Sequence, residues 1–430
     1  MNRRSFLKLP ALLPFVGFGS GSEDHHFQYE SVIGTSMDVV VCTADSGVAD
    51  GVCQTIRGEI DRLARVLDTR DPASEISQLQ GSGVGLEASP ALTDVLHAYE
   101  HWERRTGGVF SIRPAGAGTP RNVDALGKAY IIDRAAAAAV KLWPSIDVLL
   151  LNLGGDIVVW GRSREIAIAN PAAWYDNAQP LSAIDLRNQA VATSGSYARG
   201  AHLCDSRSGT PLRTSVAATV IAPNAVTANA LATTLCLTSA VDGLRLVEST
   251  PGAEALRIES GSLQRTSGFA LLERRFPPQP PASTPWPSRY QLTIALPLTS
   301  GRSSKRPYVA VWVEDSSNKL IRVLAIWGTK PKYHPDLSTL WARIGGNVQP
   351  FRSVTRATRS AGRYDLVWDG LDNEHKPVAL GSYRITVETN QENGTYAKQT
   401  GSIELGDRPT TITLPATTNF DSVLVKYGPA

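Results

Sequence analysis

His202 and Asp205 stand three residues apart in the run His202-Leu203-Cys204-Asp205, and they form the best acid–base pair in the chain. A histidine exchanges protons near neutral pH, and a nearby carboxylate can orient or assist a hydroxyl. An isolated histidine can equally be structural. Gly154-Gly155-Asp156 follow an apolar run and leave bare backbone at a strand end, where a ligand can approach closely. The alternative there is a tight turn with a capping Asp. Thr193-Ser194-Gly195 offers hydroxyls and amides to a phosphate or a ribose, or is an ordinary turn. Lys128 can reach a phosphate or remain solvated. His97 and His101 have the i, i+4 spacing of a metal pair, but no third ligand accompanies them and amphipathic packing accounts for the spacing. The Gly154-Gly155 pair does not make a GxGxxG pattern, so a Rossmann dinucleotide site is excluded.

These residues need elements to hold them. Residues 38–42 read as a strand, and 147–153 form a continuous apolar run typical of a buried strand. Residues 49–67 carry apolar side chains at helical spacing (Val52, Ile56, Ile60, Leu63, Leu67). A second helix is expected over 89–105, opened by Ser89-Pro90, and an alanine-rich one over 132–142. Residues 215–221 alternate as a strand, and 228–240 read as another helix. Beyond a proline-rich stretch at 277–287 the pattern changes. Short strand-like runs at 290–296, 308–312, 319–325, 364–368, 382–388 and 423–427, separated by turn residues, favour an all-β sandwich. The expected fold class is therefore α+β followed by a sandwich-like region. Its divisions are a targeting segment at 1–22, an α+β domain at 28–275, a linker at 276–288 and a β domain at 289–430.

Composition narrows the function classes. The 430 residues are 42% hydrophobic and 19% charged, with a net charge of +3, which suits globular domains and gives no basic arm for nucleic acid. The start Met1-Asn2-Arg3-Arg4-Ser5-Phe6-Leu7-Lys8 matches the twin-arginine export pattern, and an apolar stretch from Leu9 to Phe18 leads to the small residues Gly19-Ser20-Gly21. That stretch is short for a membrane span, and no later run of 18 apolar residues exists. The expected product is a soluble protein outside the cytoplasm. Cys42, Cys53, Cys204 and Cys236 form no CxxC pair. A disulfide between Cys42 and Cys53 is left open by their spacing. His25-His26 follow the targeting segment and are expected to be flexible.

Several segments, in order, resemble the ApbE family of FAD:protein FMN transferases. They are Gly34-Thr35-Ser36-Met37, Ser74-Glu75-Ile76-Ser77, Thr106-Gly107-Gly108-Val109-Phe110, the run Gly127 to Arg134, Asn152-Leu153-Gly154-Gly155-Asp156, Thr193-Ser194-Gly195, the run His202 to Gly209, and Thr227 to Thr233. The resemblance covers about residues 30–275. The proline-linked remainder, with Trp327-Gly328-Thr329-Lys330-Pro331-Lys332-Tyr333-His334, resembles a β-rich domain that accompanies flavin-transferase proteins.

The resemblance implies a specific chemistry. FMN would move from FAD to a Ser or Thr hydroxyl of an exported acceptor protein, AMP would leave, and Mg2+ would assist. It places the metal on Asn229 and Thr233, with the Gly127 carbonyl, and i, i+4 spacing puts the two side chains on one helix face. FAD binding would fall to Met37, Lys128, Gly154, Gly155, Asp156, Thr193, Ser194, Gly195 and His202, and catalysis to His202 and Asp205. Three departures stand out, one of them Ser111 where an Asp often follows the Phe. Asn229 replaces the family's usual Asp, removing a negative charge beside the metal, and Asn122-Val123-Asp124-Ala125 stands where DLGG is usual, with Asp124 a candidate to restore that charge. The rival readings are an FAD-binding protein without transfer, a scaffold whose β domain is the working part, and an FAD pyrophosphatase in which water replaces the acceptor hydroxyl.

Overall fold

The computed structural model describes residues 7–8, 22–81, 88–114, 119–173, 175–196, 203–212, 214–275, 285–287, 289–299, 306–328, 331–356, 358–359, 361–392 and 394–429. Most of the targeting segment and of the linker therefore lies outside the described residues. No helix among those described is long and apolar enough to cross a membrane.

The α+β part contains, in chain order, β1 (Leu7–Lys8), β2 (Glu23–Val32), β3 (Thr35–Thr43), α1 (Ser46–Leu67), α2 (Glu75–Gly81), α3 (Pro90–Arg105), α4 (Asp124–Leu142), β4 (Val148–Leu153), β5 (Asp156–Gly161), β6 (Arg164–Ile168), β7 (Ser182–Leu186), β8 (Gln189–Gly195), β9 (Cys204–Asp205), β10 (Thr210–Pro211), β11 (Val216–Ala222), α5 (Ala225–Leu237), α6 (Ala240–Glu248), β12 (Glu254–Glu259), β13 (Ser262–Arg265), α7 (Phe269–Leu272) and β14 (Glu273–Arg275). Local chemistry explains the helix starts. Asp45 accepts from the Gly47 amide ahead of α1, and Ser89 caps α3 with Pro90 in its first turn. The buried stripe of α1 is Ala49, Val52, Cys53, Ile56, Ile60, Leu63 and Leu67, the spacing of one helix face. Helix α4 begins at Asp124, eight residues before the start read from its alanines, because Ala125 to Ile131 bury a continuous apolar face.

Eight antiparallel strands form the main sheet in the order β13-β12-β11-β8-β5-β4-β3-β2. Strand β4 is buried along its whole length, since both faces of the sheet are covered. The helices cover one face, where Met37, Val39, Leu149, Leu151 and Leu153 join the helical core. A small sheet, β1-β6-β7-β14, covers the other face against Val40, Cys42, Val148 and Leu150. Cys42 and Cys53 thus belong to cores on opposite faces, and all four cysteines are thiols. His25 and His26 are not flexible: they lie in β2, and His25 Nε2 is 3.2 Å from the Thr43 carbonyl oxygen.

The C-terminal part has nine strands among the described residues: β15 (Tyr290–Leu298), β16 (Tyr308–Asp315), β17 (Leu320–Trp327), β18 (Thr355–Arg356), β19 (Gly362–Trp368), β20 (Gly381–Asn390), β21 (Ala397–Leu405), β22 (Thr410–Leu414) and β23 (Val423–Pro429). They make two sheets, β19-β15-β23-β22 and β18-β17-β16-β20-β21, facing each other over a core that holds Trp286, Trp327, Trp368 and Tyr427. Helical turns between 331 and 354 cover the outer face of the five-stranded sheet, packing Leu337 and Leu340 on Ala310 and Trp312. That cover is an addition to the sandwich expected from sequence.

Candidate active site

The turn between β4 and β5 is built by glycine. Gly154 and Gly155 have φ of +62° and +100°, conformations that side chains resist, and a Cβ on Gly154 would collide with the Thr35 side chain. The Gly155 amide donates to Asn152 Oδ1 at 3.0 Å, which fixes the turn from inside. The turn delivers Asp156, 3% exposed, to the helix-covered face of the sheet.

Two helices meet Asp156 there. Lys128 Nζ of α4 lies 2.8 Å from Asp156 Oδ2. Asn229 Nδ2 of α5 donates to the same oxygen at 3.2 Å. Asn229 Oδ1 is buried and has no hydrogen-bond partner among the described residues. One helical turn on, Thr233 Oγ1 is 3.2 Å from Ser194 Oγ of β8. The start of α5 is held by Asn224, which accepts from the Thr227 amide, and by Asp133, whose two oxygens accept from the Ala225 and Val226 amides at 2.8 and 3.1 Å. Burial pushes the Asp133 carboxyl up to about 6, and the charge of Asp156 adds to the rise against those two amides.

The cluster therefore gathers Lys128, Gly154, Gly155, Asp156, Ser194, Asn229 and Thr233 in one region. Gly127 precedes Lys128 and is buried in α4, with a helical backbone rather than a left-handed one. Thr193 points to the opposite face of the sheet, where its hydroxyl meets that of Thr219 at 2.8 Å. Thr193 to Gly195 form the end of strand β8, not a turn. Met37 is fully buried in the helical core, paired with Leu153. Asp205 is forked by Arg207 of its own turn, with the closest pair at 2.6 Å, and this bonding holds its carboxyl below the usual range. His202 lies outside the described residues. Asp124 is exposed at the start of α4, where it accepts from the Thr69 hydroxyl, and among the described residues no bond joins it to Asp156, Asn229 or Thr233. His97 and His101 are exposed on α3, which corrects the packing explanation for their spacing. No group of three or more His, Cys, Asp or Glu that could hold a metal occurs among the described residues.

Asp133, which anchors the start of α5, is not among the site residues named from sequence. Its signal is a carboxylate set between Ile131-Ile132 and Ala135-Ala136 on a buried helix face, which requires donors from another element. At the start of α4 an open cleft of about 440 Å³ is lined by Thr69, Ser77, Pro114, Thr119, Pro120 and Asn122, among others.

Chemically, the cluster presents one ammonium, one carboxylate, one unsatisfied amide oxygen and two hydroxyls. That donor set suits phosphate oxygens and a hard cation, and it offers nothing for a soft metal.

Residues 113–257 match the family model described as "ApbE family", and residues 289–422 match one described as "Predicted periplasmic protein (DUF2271)". A curated protein of Rhodobacter capsulatus, named FAD:protein FMN transferase, is 28% identical over 170 residues. That alignment takes in 36% of this chain and 31% of the relative, so the chain spans about a third of the relative's length. The crystal structure of the ApbE protein of Thermotoga maritima superposes with a TM-score of 0.51 at 20% identity, covering 59% of this chain and all of that one. At that identity the likeness concerns the fold. The chain thus carries one stretch that matches the ApbE family model and a second, after it, that matches the DUF2271 model.

Proposed function

We propose that the protein is an exported FAD:protein FMN transferase, which moves FMN from FAD to a Ser or Thr hydroxyl of an acceptor protein and releases AMP. The observation that carries the reading is the buried contact of Lys128, Asp156 and Asn229, beside Ser194 and Thr233, inside the region that matches the ApbE family. The name of the Rhodobacter capsulatus relative supports the same chemistry. The twin-arginine start and the periplasmic description of the DUF2271 model support export.

In this reading the acceptor hydroxyl oxygen attacks the phosphorus of the FMN half. The bond from that phosphorus to the bridging oxygen breaks, and AMP leaves with that oxygen. The hydroxyl proton passes to a base, a role given to His202. Asp205, ionised and held by Arg207, orients the acceptor rather than taking its proton. Lys128 neutralises phosphate charge, and the Gly154-Gly155 turn lets the flavin nucleotide approach bare backbone. The unsatisfied Asn229 Oδ1 fits a hard cation, with Thr233 and the Gly127 carbonyl as the other protein ligands. Mg2+ bound there would offset charge developing on the pyrophosphate. Met37 and Gly195 are assigned to the walls of the FAD site; Thr193, whose side chain lies on the opposite face of the sheet, is not.

One observation favours a second reading, FAD binding without transfer. Among the described residues Asp156 is the only carboxylate bonded to Asn229, and Lys128 already neutralises it. The deciding experiment mixes the protein with FAD, Mg2+ and an acceptor domain, and follows flavin fluorescence on a denaturing gel. A fluorescent acceptor band that chelator abolishes supports transfer. Tight FAD binding with no band in any acceptor tested leaves the second reading.

A further inference from the structure

The turn that shapes the candidate site is tied to the β-rich region by a continuous set of contacts. The Gly155 amide is held by Asn152 Oδ1 at 3.0 Å, and Asn152 Nδ2 donates to Asp38 Oδ2 at 3.3 Å. Asp38 and Asn152 face each other across β3 and β4, on the side of the sheet away from the helices. Gln28 is the partner of Asp38 in β2, and its side chain favours the ionised Asp38 carboxylate. From the β-rich region, Thr358 Oγ1 donates to Gln28 Oε1 at 2.6 Å. The next residue, Arg359, forks Asp176 at 3.1 and 3.0 Å, and its charge favours the ionised form of Asp38. Arg359 also lies over the rings of Trp327 and Tyr364, at 5.7 and 5.9 Å. Asn177 locks the same junction by exchanging two bonds with the Val367 backbone, at 2.9 and 3.0 Å.

We infer that Thr358 and Arg359 are positioning residues for the Gly154–Gly155 turn, acting through Gln28, Asp38 and Asn152. The inference rests on the reading above that this turn contacts FAD. The physical reason is the state of Asp38. Its Oδ1 is buried without a hydrogen-bond partner among the described residues, and the Arg359 charge is the largest influence favouring its ionised form against burial. Removing that charge leaves a carboxylate that must protonate or move, and either change alters the acceptor facing Asn152 Nδ2. Asn152 is then free to rotate and release the Gly155 amide. The DUF2271 region thus forms part of the scaffold of the flavin site.

The test uses the full chain, with FAD titrated into wild type, Arg359→Ala, Arg359→Lys, Thr358→Val and the exposed control Lys376→Ala, and backbone hydrogen exchange read over 152–156 and over α5. Expected for Arg359→Ala is FAD binding weakened about five- to tenfold, with kcat at saturating FAD within about twofold of wild type. Exchange at Gly155 should accelerate while α5 stays protected. Arg359→Lys should recover most of the affinity, and Lys376→Ala should change nothing. In an Asp38→Asn background, which needs no counter-charge, Arg359→Ala should no longer affect Gly155; this pair decides the matter if Arg359→Ala alone folds poorly. Unchanged Gly155 exchange in Arg359→Ala overturns the inference. A wild type that binds no FAD refutes the flavin reading instead, and the exchange data still judge the relay.

Discussion

Asn229 donates its side-chain amide to Asp156 at 3.2 Å and leaves its own carbonyl oxygen buried without a bond. The pair works because one partner is neutral. Asn229→Asp would set two carboxylates in contact, with Lys128 the one cation bonded to either among the described residues. In chelator the variant should melt below wild type, by an amount on the order of 1–3 kcal/mol. Added Mg2+ should reverse the loss and raise transferase activity. Melting curves with and without Mg2+ check this. A variant whose stability ignores Mg2+ removes Asn229 from the metal site.

Lys128 and Asp156 should be separable into structural and functional shares. The pair is 2.8 Å apart, with side chains 19% and 5% exposed. Lys128→Met strands a buried carboxylate and should cost about 2–3 kcal/mol, below the range for fully buried pairs because the lysine retains some water. Adding Asp156→Asn should restore most of that stability, since no charge is then unpaired. FAD affinity should stay low in the double variant. Urea midpoints and FAD titrations on the four proteins of the cycle test both halves. Recovered affinity in the double variant would assign the pair to structure alone.

The sequence carried the elements wherever periodicity was strong. The α1 stripe from Val52 to Leu67 and the apolar run of β4 needed only spacing and burial. It carried the candidate cluster only as separate motifs, because Lys128, Asp156, Ser194 and Asn229 come from four elements that the eight-stranded sheet brings together. Thr193 and Ser194 show the limit well. Adjacent strand residues face opposite ways, so only Ser194 reaches Thr233, and the motif alone did not reveal a strand. In the sequence Asp38 shows only as part of a strand. Its role depends on Arg359, some 320 residues away, and no local pattern announces that contact.

Asp38 should give a measurable slope of stability with pH. Burial pushes its carboxyl up to about 6, against the opposing influences of Arg359 and Gln28. The folded state therefore binds this proton more tightly than the unfolded chain, whose carboxyl titrates near 4. Its contribution is fully present below pH ~4 and is lost as pH rises through about 6. Asp133, also raised to about 6, acts with the same sign. Comparing Asp38→Asn with wild type isolates the first. From pH 4.5 to 7.5 the variant should gain on wild type by on the order of 1–2 kcal/mol. Parallel stability curves would mean that the Asp38 proton is not linked to folding.

Two glycines in the candidate site should respond in opposite ways to alanine. Gly154 has a φ of +62°, and its Cβ would run into Thr35. Gly154→Ala should therefore cost about 1–3 kcal/mol, from backbone strain and the displaced Thr35, and should weaken FAD binding through the distorted turn. Gly127 is helical, and a Cβ there would meet Leu67 at an ordinary 3.7 Å. Gly127→Ala should be neutral or stabilising by up to about 1 kcal/mol, as alanine is the better helix former. A metal contact through the Gly127 carbonyl survives that change, since the backbone oxygen is retained, so activity should persist. Urea unfolding and activity of both variants settle the contrast. Equal stability losses would show that the two backbones are under the same steric constraint, contrary to their φ angles.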